Sequence, residues 1–325
     1  MIEFNFMEID EICAKLHSLL EEAVSRNLSE GILLSGGLDT SILAYIASNY
    51  TRLKAFTVAF NAAPAPDVEY AKLMAKSLNI DHTIHLFDEK ELLDSIPIVI
   101  KVLKSFDPME IRNSASIFIA LKLAKEKGIR SVMTGDGSDE LFAGYSFLFD
   151  LKKEQLDDEL SRIWREMSFS SVPLGKALGI DVKIPFLDPE LKSYAMSLDS
   201  GYKIKKEGHY TWGKWILRKA FDGFLPEVIV WRVKMPIEYG SGTNLLTSLL
   251  EKRIEDLEFE EKRRRYMGED KVIIRDKEQL WYYEIYRSII GIPRKTIHGG
   301  KNCPLCNSDV FGTAKYCRVC GAYPI

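Results

Sequence analysis

The run Gly31-Ile32-Leu33-Leu34-Ser35-Gly36-Gly37-Leu38-Asp39-Thr40-Ser41 constrains this chain more than any other segment. An apolar strand passes through a glycine pair into a hydroxyl-rich helix start, and Ile42, Leu43, Tyr45 and Ile46 continue the helix. Adjacent glycines let the backbone bend where a Cβ would clash, so successive N–H groups can converge on one anion. Ser35, Thr40 and Ser41 add hydroxyl donors, and the positive end of the helix faces the same point. The segment therefore predicts a phosphate site. Asp39 would repel a phosphate unless a cation lay between them, which makes it a candidate Mg2+ ligand. A Walker loop would end in Gly-Lys-Ser/Thr and a dinucleotide loop would need spaced glycines, so neither fits. The competing reading is an ordinary strand-to-helix turn with Ser35 as its cap.

Periodicity sets the fold class. Ile9, Ile12, Leu16, Leu19, Leu20 and Val24 follow helical spacing ahead of the first strand. Residues 53–60 read as a strand, 67–78 as a helix, 83–86 as a strand, 92–103 and 114–127 as helices, and 131–134 as a strand. Strands regularly separated by helices imply an α/β fold, a parallel sheet with helices on both faces and ligands at the carboxyl ends of the strands. From residue 151 the pattern turns mostly helical, and the mixed charges of 251–265 read as a solvated helix.

Directly after the strand ending at Thr134 comes Gly135-Asp136-Gly137-Ser138-Asp139-Glu140. Three acids this close repel one another unless a divalent or substrate cation joins them; the alternative is a solvated acidic turn. Near the C-terminus, Cys303-Pro304-Leu305-Cys306 and Cys317-Arg318-Val319-Cys320 form two CxxC knuckles separated by ten residues. Four thiolates from two tight turns suit structural Zn2+, with disulfides or an iron centre as alternatives. Cys13 stands alone on the first helix and reads as structural.

Composition narrows the class. With 325 residues, 46% of them hydrophobic, the chain can bury one large domain and carry a small appendage. A net charge of −3 argues against a generic nucleic-acid coat. No apolar stretch approaches membrane-spanning length, and Glu3, Glu8, Asp10 and Glu11 lack the basic start of a secretory signal, so a cytoplasmic protein without membrane contact is expected.

The segment SGGLDTS at 35–41 resembles the pyrophosphate (PP) loop of N-type ATP pyrophosphatases. With AFTVAF at 55–60 and TGDGSDELFAGY at 134–145, the chain resembles the synthetase domain of asparagine synthetases and beta-lactam synthetases. The resemblance continues through Ile184-Pro185-Phe186-Leu187-Asp188, Lys214-Trp215-Ile216-Leu217-Arg218, Leu225-Pro226, Trp231-Arg232-Val233-Lys234 and the stretch from Lys277 to Tyr283, roughly residues 10 to 290 in all.

The resemblance implies an adenine nucleotide alpha hydrolase-like core at 1–150 and a helical second half at 151–298; the two CxxC knuckles, a departure from the family, make residues 299–325 a candidate zinc ribbon. It implies that Ser35, Gly36, Gly37, Leu38, Asp39, Thr40 and Ser41 hold the phosphates of ATP and that Leu33, Val58, Thr134 and Gly135 line the adenosine. Asp39 and Asp139 would carry Mg2+, Lys234 would stabilise charge on the phosphates, and Asp136, where the family usually has glutamate, would help deprotonate an attacking amine. Asp107 and Arg112 match a segment near the family's substrate pocket, a structural ion pair being the alternative. The implied activity is an AMP-forming carbon–nitrogen ligase of asparagine biosynthesis: a carboxylate, by default aspartate, is adenylated with release of pyrophosphate, then attacked by ammonia or an amine. Residue 2 is Ile2, where glutamine-dependent members carry a catalytic cysteine, so nitrogen is expected as free ammonia, from a separate glutaminase chain, or as a substrate amine. Arg294, Lys295, His298, Lys301, Lys315 and Arg318 make the ribbon end basic, and Tyr316 and Tyr323 could stack on bases. That supports a second hypothesis, an RNA-modifying PP-loop enzyme that adenylates a nucleobase and binds RNA through the ribbon. Such enzymes generally use catalytic-domain cysteines, and only Cys13 is available. A non-catalytic scaffold conflicts with the presence of Asp39, Asp139 and Lys234.

Overall fold

Near-continuous apolar runs at 31–34 and 54–60 suit strands covered on both faces. A computed structural model describes residues 6–294, 301–310 and 314–325. α1 (Phe6–Arg26) leads into β1 (Gly31–Leu33), followed by α2 (Leu38–Ser48), β2 (Lys54–Phe60), α3 (Asp67–Leu78), β3 (Asp81–Phe87), α4 (Glu89–Leu103), α5 (Pro108–Glu126) and β4 (Ser131–Met133). Next come α6 (Ser138–Phe142), α7 (Lys153–Glu166), α8 (Ser171–Leu178), β5 (Asp181–Lys183), α9 (Pro189–Ser197), β6 (Ile204–Glu207), β7 (Tyr210–Gly213) and α10 (Trp215–Phe221). Short helices continue to the longer helix Lys277–Ile289, and Lys301–Asn302 pairs with Asp309–Val310 near the C-terminus. No described helix is long and apolar enough to cross a membrane.

The sheet order is β3-β2-β1-β4-β5. β1 pairs in parallel with β2 and with β4, and β4 with β5. The chain builds outward from β1 to β3, then returns to place β4 on the other side of β1. The loops that leave the carboxyl ends of β1 and β4 therefore start at the reversal of strand order, where open α/β sheets bind ligands.

α3 coincides with the predicted helix, whereas α5 starts at Pro108 rather than 114. Proline is preorganised for the first helical position, and the Asp107 carboxylate accepts a hydrogen bond from Met109 N (3.3 Å). β5 and the β6–β7 hairpin interrupt the region read as helical. β5 is a three-residue edge strand that begins with Asp181 and ends with Lys183, and β6 is rich in charge, so neither carries an apolar strand signature.

The described residues divide into two compact units, one lying within Met1–Thr57, Pro66–His85 and Ala120–Pro236, the other within Val58–Ala65, Leu86–Ile119 and Ile237–Ile325. In the first, α1 packs on α2, α9 and α10 through Leu16, Leu19, Leu20 and Ala23. Cys13 sits against this core; burial, with Asp10 assisting, pushes its thiol up to about 11, so it is held as an unreactive thiol. In the second unit, Phe106 meets Tyr283 and Tyr286 edge-on at 5.0 and 5.1 Å. There Arg112 binds Glu238 (2.6 Å) and Glu278 (2.7 Å) in a buried ion network, while Asp107 is engaged separately by Tyr316.

Lys203 is fully buried in the first unit, its Nζ without a hydrogen-bond partner and 4.6 Å above the Trp164 ring. Burial lowers its pKa to about 7, against the opposing fields of Asp157 and Asp199. Between pH 7 and 10 the unfolded chain then holds a proton that the folded chain lacks, so stability rises with pH by about 1.4 kcal/mol per pH unit from this residue. Denaturant titrations should show Lys203→Met more stable at pH 7 and without that slope; parallel pH profiles for the two proteins would contradict the assignment.

Candidate active site

The turn after β1 is built by its glycines. Gly36 has φ +67°, and a Cβ there would lie 2.4 Å from Ala71 N and from the Tyr70 carbonyl carbon, so the loop is pressed against α3. Gly37, not Ser35, occupies the cap position of α2, and no side chain caps that helix. Ser35 Oγ instead accepts from Gly37 N (3.2 Å), and Thr40 Oγ1 accepts from Ser35 N (3.2 Å), which folds the hydroxyls back onto the turn. Ser41 Oγ is buried with no protein partner. The turn thus leaves the positive end of an 11-residue helix without a side-chain acceptor.

The turn after β4 meets it. A Cβ on Gly135 would lie 3.0 Å from Asp39 Cβ and 3.1 Å from Thr40 Cγ2. Ser138 Oγ donates to Asp39 Oδ1 (2.8 Å). Lys214 Nζ lies between the acids of the two turns, 2.6 and 2.7 Å from the Asp39 oxygens and 2.7 Å from Asp139 Oδ1. Lys234 Nζ reaches Asp139 Oδ2 at 2.5 Å. Burial by itself would raise the Asp139 carboxyl, but the two ammonium groups outweigh it and hold the group well below the usual carboxylate range. For Lys234, the acids Asp139 and Asp39 outweigh desolvation and raise the ammonium pKa. Asp136 differs: burial raises its carboxyl although Ser171 (2.5 Å) and Thr134 (2.9 Å) donate to Oδ2.

Lys214 was not singled out from the sequence as a site residue. It stands in the Lys214–Arg218 segment that carries the resemblance, and it is 3% exposed. It adopts φ +55°, its N–H donates to Phe142 O (2.9 Å), and its left-handed backbone turns the side chain from the start of α10 toward the acids. Arg218 fixes this corner by donating to Gly213 O (2.9 Å), Arg232 O (3.1 Å) and Val230 O, so α10 and the stretch carrying Lys234 are tied together. Arg232 in turn donates to Ser35 O (3.3 Å), pairs with Asp67 (2.5 Å) and lies 3.9 Å above the Tyr70 ring. Among the other sequence candidates, Leu33 ends β1, Thr134 and Gly135 follow β4, Leu38 is buried at the start of α2, and Val58 is buried on β2.

In the second unit, Cys303, Cys306, Cys317 and Cys320 are buried free thiols whose sulfurs all lie within 4.8 Å of one another. The pairs Cys303–Cys320 and Cys306–Cys317 are 3.6 and 3.7 Å apart. A tetrahedron of thiolates at the Zn–S distance has edges of about 3.8 Å, so the cage fits Zn2+, and the disulfide alternative is replaced by four free thiols. Of the basic residues noted at this end, Lys295 and His298 lie outside the described residues. Tyr316 is half-buried with its hydroxyl donated to Asp107, whereas Tyr323 is 65% exposed.

An acid and lysine cluster at the strand-order reversal of a parallel sheet, beside a helix start that no side chain caps, places the candidate site in an α/β fold. The sequence matches the Asparagine synthase family over residues 15–174 and 173–295, and the chain belongs to that family. It is 30% identical over 328 residues to a probable glutamine-hydrolyzing asparagine synthetase of Dictyostelium discoideum, covering 90% of this chain and 57% of that protein. Identity to the glutamine-hydrolyzing asparagine synthetase of Zea mays is 32% over 256 residues, 72% of this chain and 44% of the relative. Identity to asparagine synthetase B of Escherichia coli (strain K12) is 29% over 307 residues, 86% and 54%. The chain spans about half the length of the curated relatives it matches.

Gly144 keeps the cluster open: a Cβ there would come 1.9 Å from Asp139 Oδ1 and 2.3 Å from Lys214 Cε. Gly144→Ala should therefore cost about 2 kcal/mol or more in chemical denaturation. Gly268→Ala, with nothing within 4 Å of its new methyl, should cost nothing; equal effects would refute the tight packing at Gly144.

Proposed function

We propose that the chain is an ATP-dependent amide ligase that adenylates a carboxylate, by default aspartate, and passes the acyl group to ammonia or an amine. The observation that carries this reading is Lys214 held between Asp39 and Asp139, one from each turn at the strand-order reversal, with Lys234 on the outer oxygen. Such a cluster is balanced by itself and can exchange partners with a metal-bound polyphosphate. Both carboxylates lie within 2.7 Å of one ammonium, close enough to share a divalent ion. Mg2+ characteristically takes one or two carboxylates and completes its shell with phosphate oxygens and water, so the donor set fits it in kind. Asp39 and Asp139 would hold Mg2+, which would supply charge neutralisation of the polyphosphate.

The chain's own groups do the rest. The turn from Ser35 to Ser41, with its N–H groups and hydroxyls, receives the phosphates, and Leu33, Val58, Thr134 and Gly135 receive the nucleoside. A substrate carboxylate oxygen attacks the α-phosphorus; the bond to the bridging oxygen breaks and pyrophosphate departs, its added charge met by Lys214 and Lys234. The amine nitrogen then attacks the acyl carbon, AMP leaves with the bridging oxygen, and the excess proton passes to Asp136. A carboxyl raised by burial is a better acceptor near neutral pH than an ordinary aspartate. Zn2+ on the four cysteines would be structural.

Pyrophosphate release measured with Mg2+-ATP, aspartate and ammonium should be observed, and Asp39→Ala and Lys234→Ala should each lower it by roughly a hundredfold or more. Turnover only when tRNA replaces aspartate would move the protein to RNA modification; full activity of both variants would overturn the residue roles. Asp136→Asn should slow amide formation about a hundredfold while sparing ATP–pyrophosphate exchange. In the parent enzyme amide formation should fall as pH drops through the raised Asp136 pKa, at higher pH than for an ordinary aspartate, and the variant should lose that acid limb; an unchanged limb would exclude Asp136 as the base.

A further inference from the structure

The four-cysteine cage grips its own unit through the backbone of its knuckles. Val319 O accepts from Phe106 N (2.7 Å) and Ser105 Oγ (3.3 Å). Cys320 O accepts from Arg275 Nη2 (2.7 Å) and Gln279 Nε2 (2.8 Å), and Gly321 O from Arg275 Nη1 (2.9 Å). The first knuckle adds Leu305 O, which accepts from Ile273 N (2.7 Å). Tyr316 donates its hydroxyl to Asp107, the residue whose carboxylate starts α5. A Cβ on Gly321 would lie 2.1 Å from Asp107 Oδ1, so the second knuckle and the start of α5 are in direct contact.

These anchors flank one buried ion network from two sides. One turn beyond Asp107, Arg112 donates to Glu238 (2.6 Å), Glu278 (2.7 Å) and Thr247 (3.2 Å). Glu278 is the immediate neighbour of Gln279, which the Cys320 carbonyl holds. Arg112 and Glu278 are 15% and 2% exposed, so their pairing depends on accurate placement; a buried arginine that loses a partner leaves an uncompensated charge.

We propose that the metal-loaded ribbon is a clamp that sets the start of α5 and the helix Lys277–Ile289 relative to each other, so that the Arg112–Glu238–Glu278 network forms only while the four thiolates hold their metal. The ribbon thereby makes the order of this segment responsive to zinc supply. The two knuckles have too little apolar content to keep their turns without the ion, and most of the carbonyls that make the anchors belong to those turns. The proposal rests on the reading of the cysteines as a zinc site.

Hydrogen–deuterium exchange on the full chain tests it, with zinc per chain measured in parallel. Three samples are compared under reducing conditions: zinc-loaded protein, protein stripped by a chelator, and a zinc-loaded Tyr316→Phe/Arg275→Met variant that keeps all four cysteines. Stripping should accelerate exchange over 105–115 and 273–280 at least tenfold while β1 and β4 stay protected. The variant should retain its zinc and show the same acceleration over 105–115, a result that stands even if stripping unfolds the whole chain. Exchange over 105–115 that matches the loaded parent in the variant would overturn the clamp. Absence of bound zinc after reconstitution would instead overturn the metal reading, a separate outcome.

Discussion

The ammonium of Lys214 between Asp39 and Asp139 is the interaction on which the site depends. Two carboxylates forced together out of bulk water are unstable without a cation, and the penalty is several kcal/mol per unpaired ion. The fold supplies that cation from a distant part of the chain, at a backbone conformation lysine rarely adopts. Each neighbour serves this placement. Gly144 leaves room for the pair, Gly213 allows Ala143 O to approach, and Arg218 links the segment to the stretch that carries Lys234. The chemistry proposed for the site follows from the same balance: charges that neutralise one another in the free protein are already arranged to meet a polyphosphate and its metal, so little reorganisation accompanies the reaction.

The first half of the fold is legible because its elements carry strong periodic signals. The strand at 54–60 is a mostly apolar run and α3 is amphipathic and bounded by prolines before it and Asn79 after it. Asp39, Asp136 and Asp139 could be found because acids beside glycine turns conflict with local electrostatics and demand an explanation. Lys214 could not be found by that logic. Its partners are far away in sequence, and nothing in Gly213-Lys214-Trp215 announces a left-handed residue. The same holds for β5, whose three residues are defined only by pairing with β4. Arg112 was visible as a charged residue, but its partners Glu238 and Glu278 were not, since a buried ion network leaves no spacing pattern.

The C-terminal cysteines illustrate a different kind of legibility. Two CxxC knuckles mark a candidate metal cage by their spacing, and free thiols at 3.6 and 3.7 Å fit it. What spacing cannot reveal is where the cage docks. Its carbonyls meet Phe106, Arg275 and Gln279, and its tyrosine meets Asp107, so the ribbon is bonded to its own unit.

In the proposed reaction the paired turns direct attack at the α-phosphorus of ATP. Mass spectrometry of the nucleotide product, formed with the supporting acceptor carrying 18O in its carboxylate, tests it most directly. Attack at the α-phosphorus should give AMP containing one 18O atom from the acceptor. Unlabelled AMP, or ADP as the product, would contradict it.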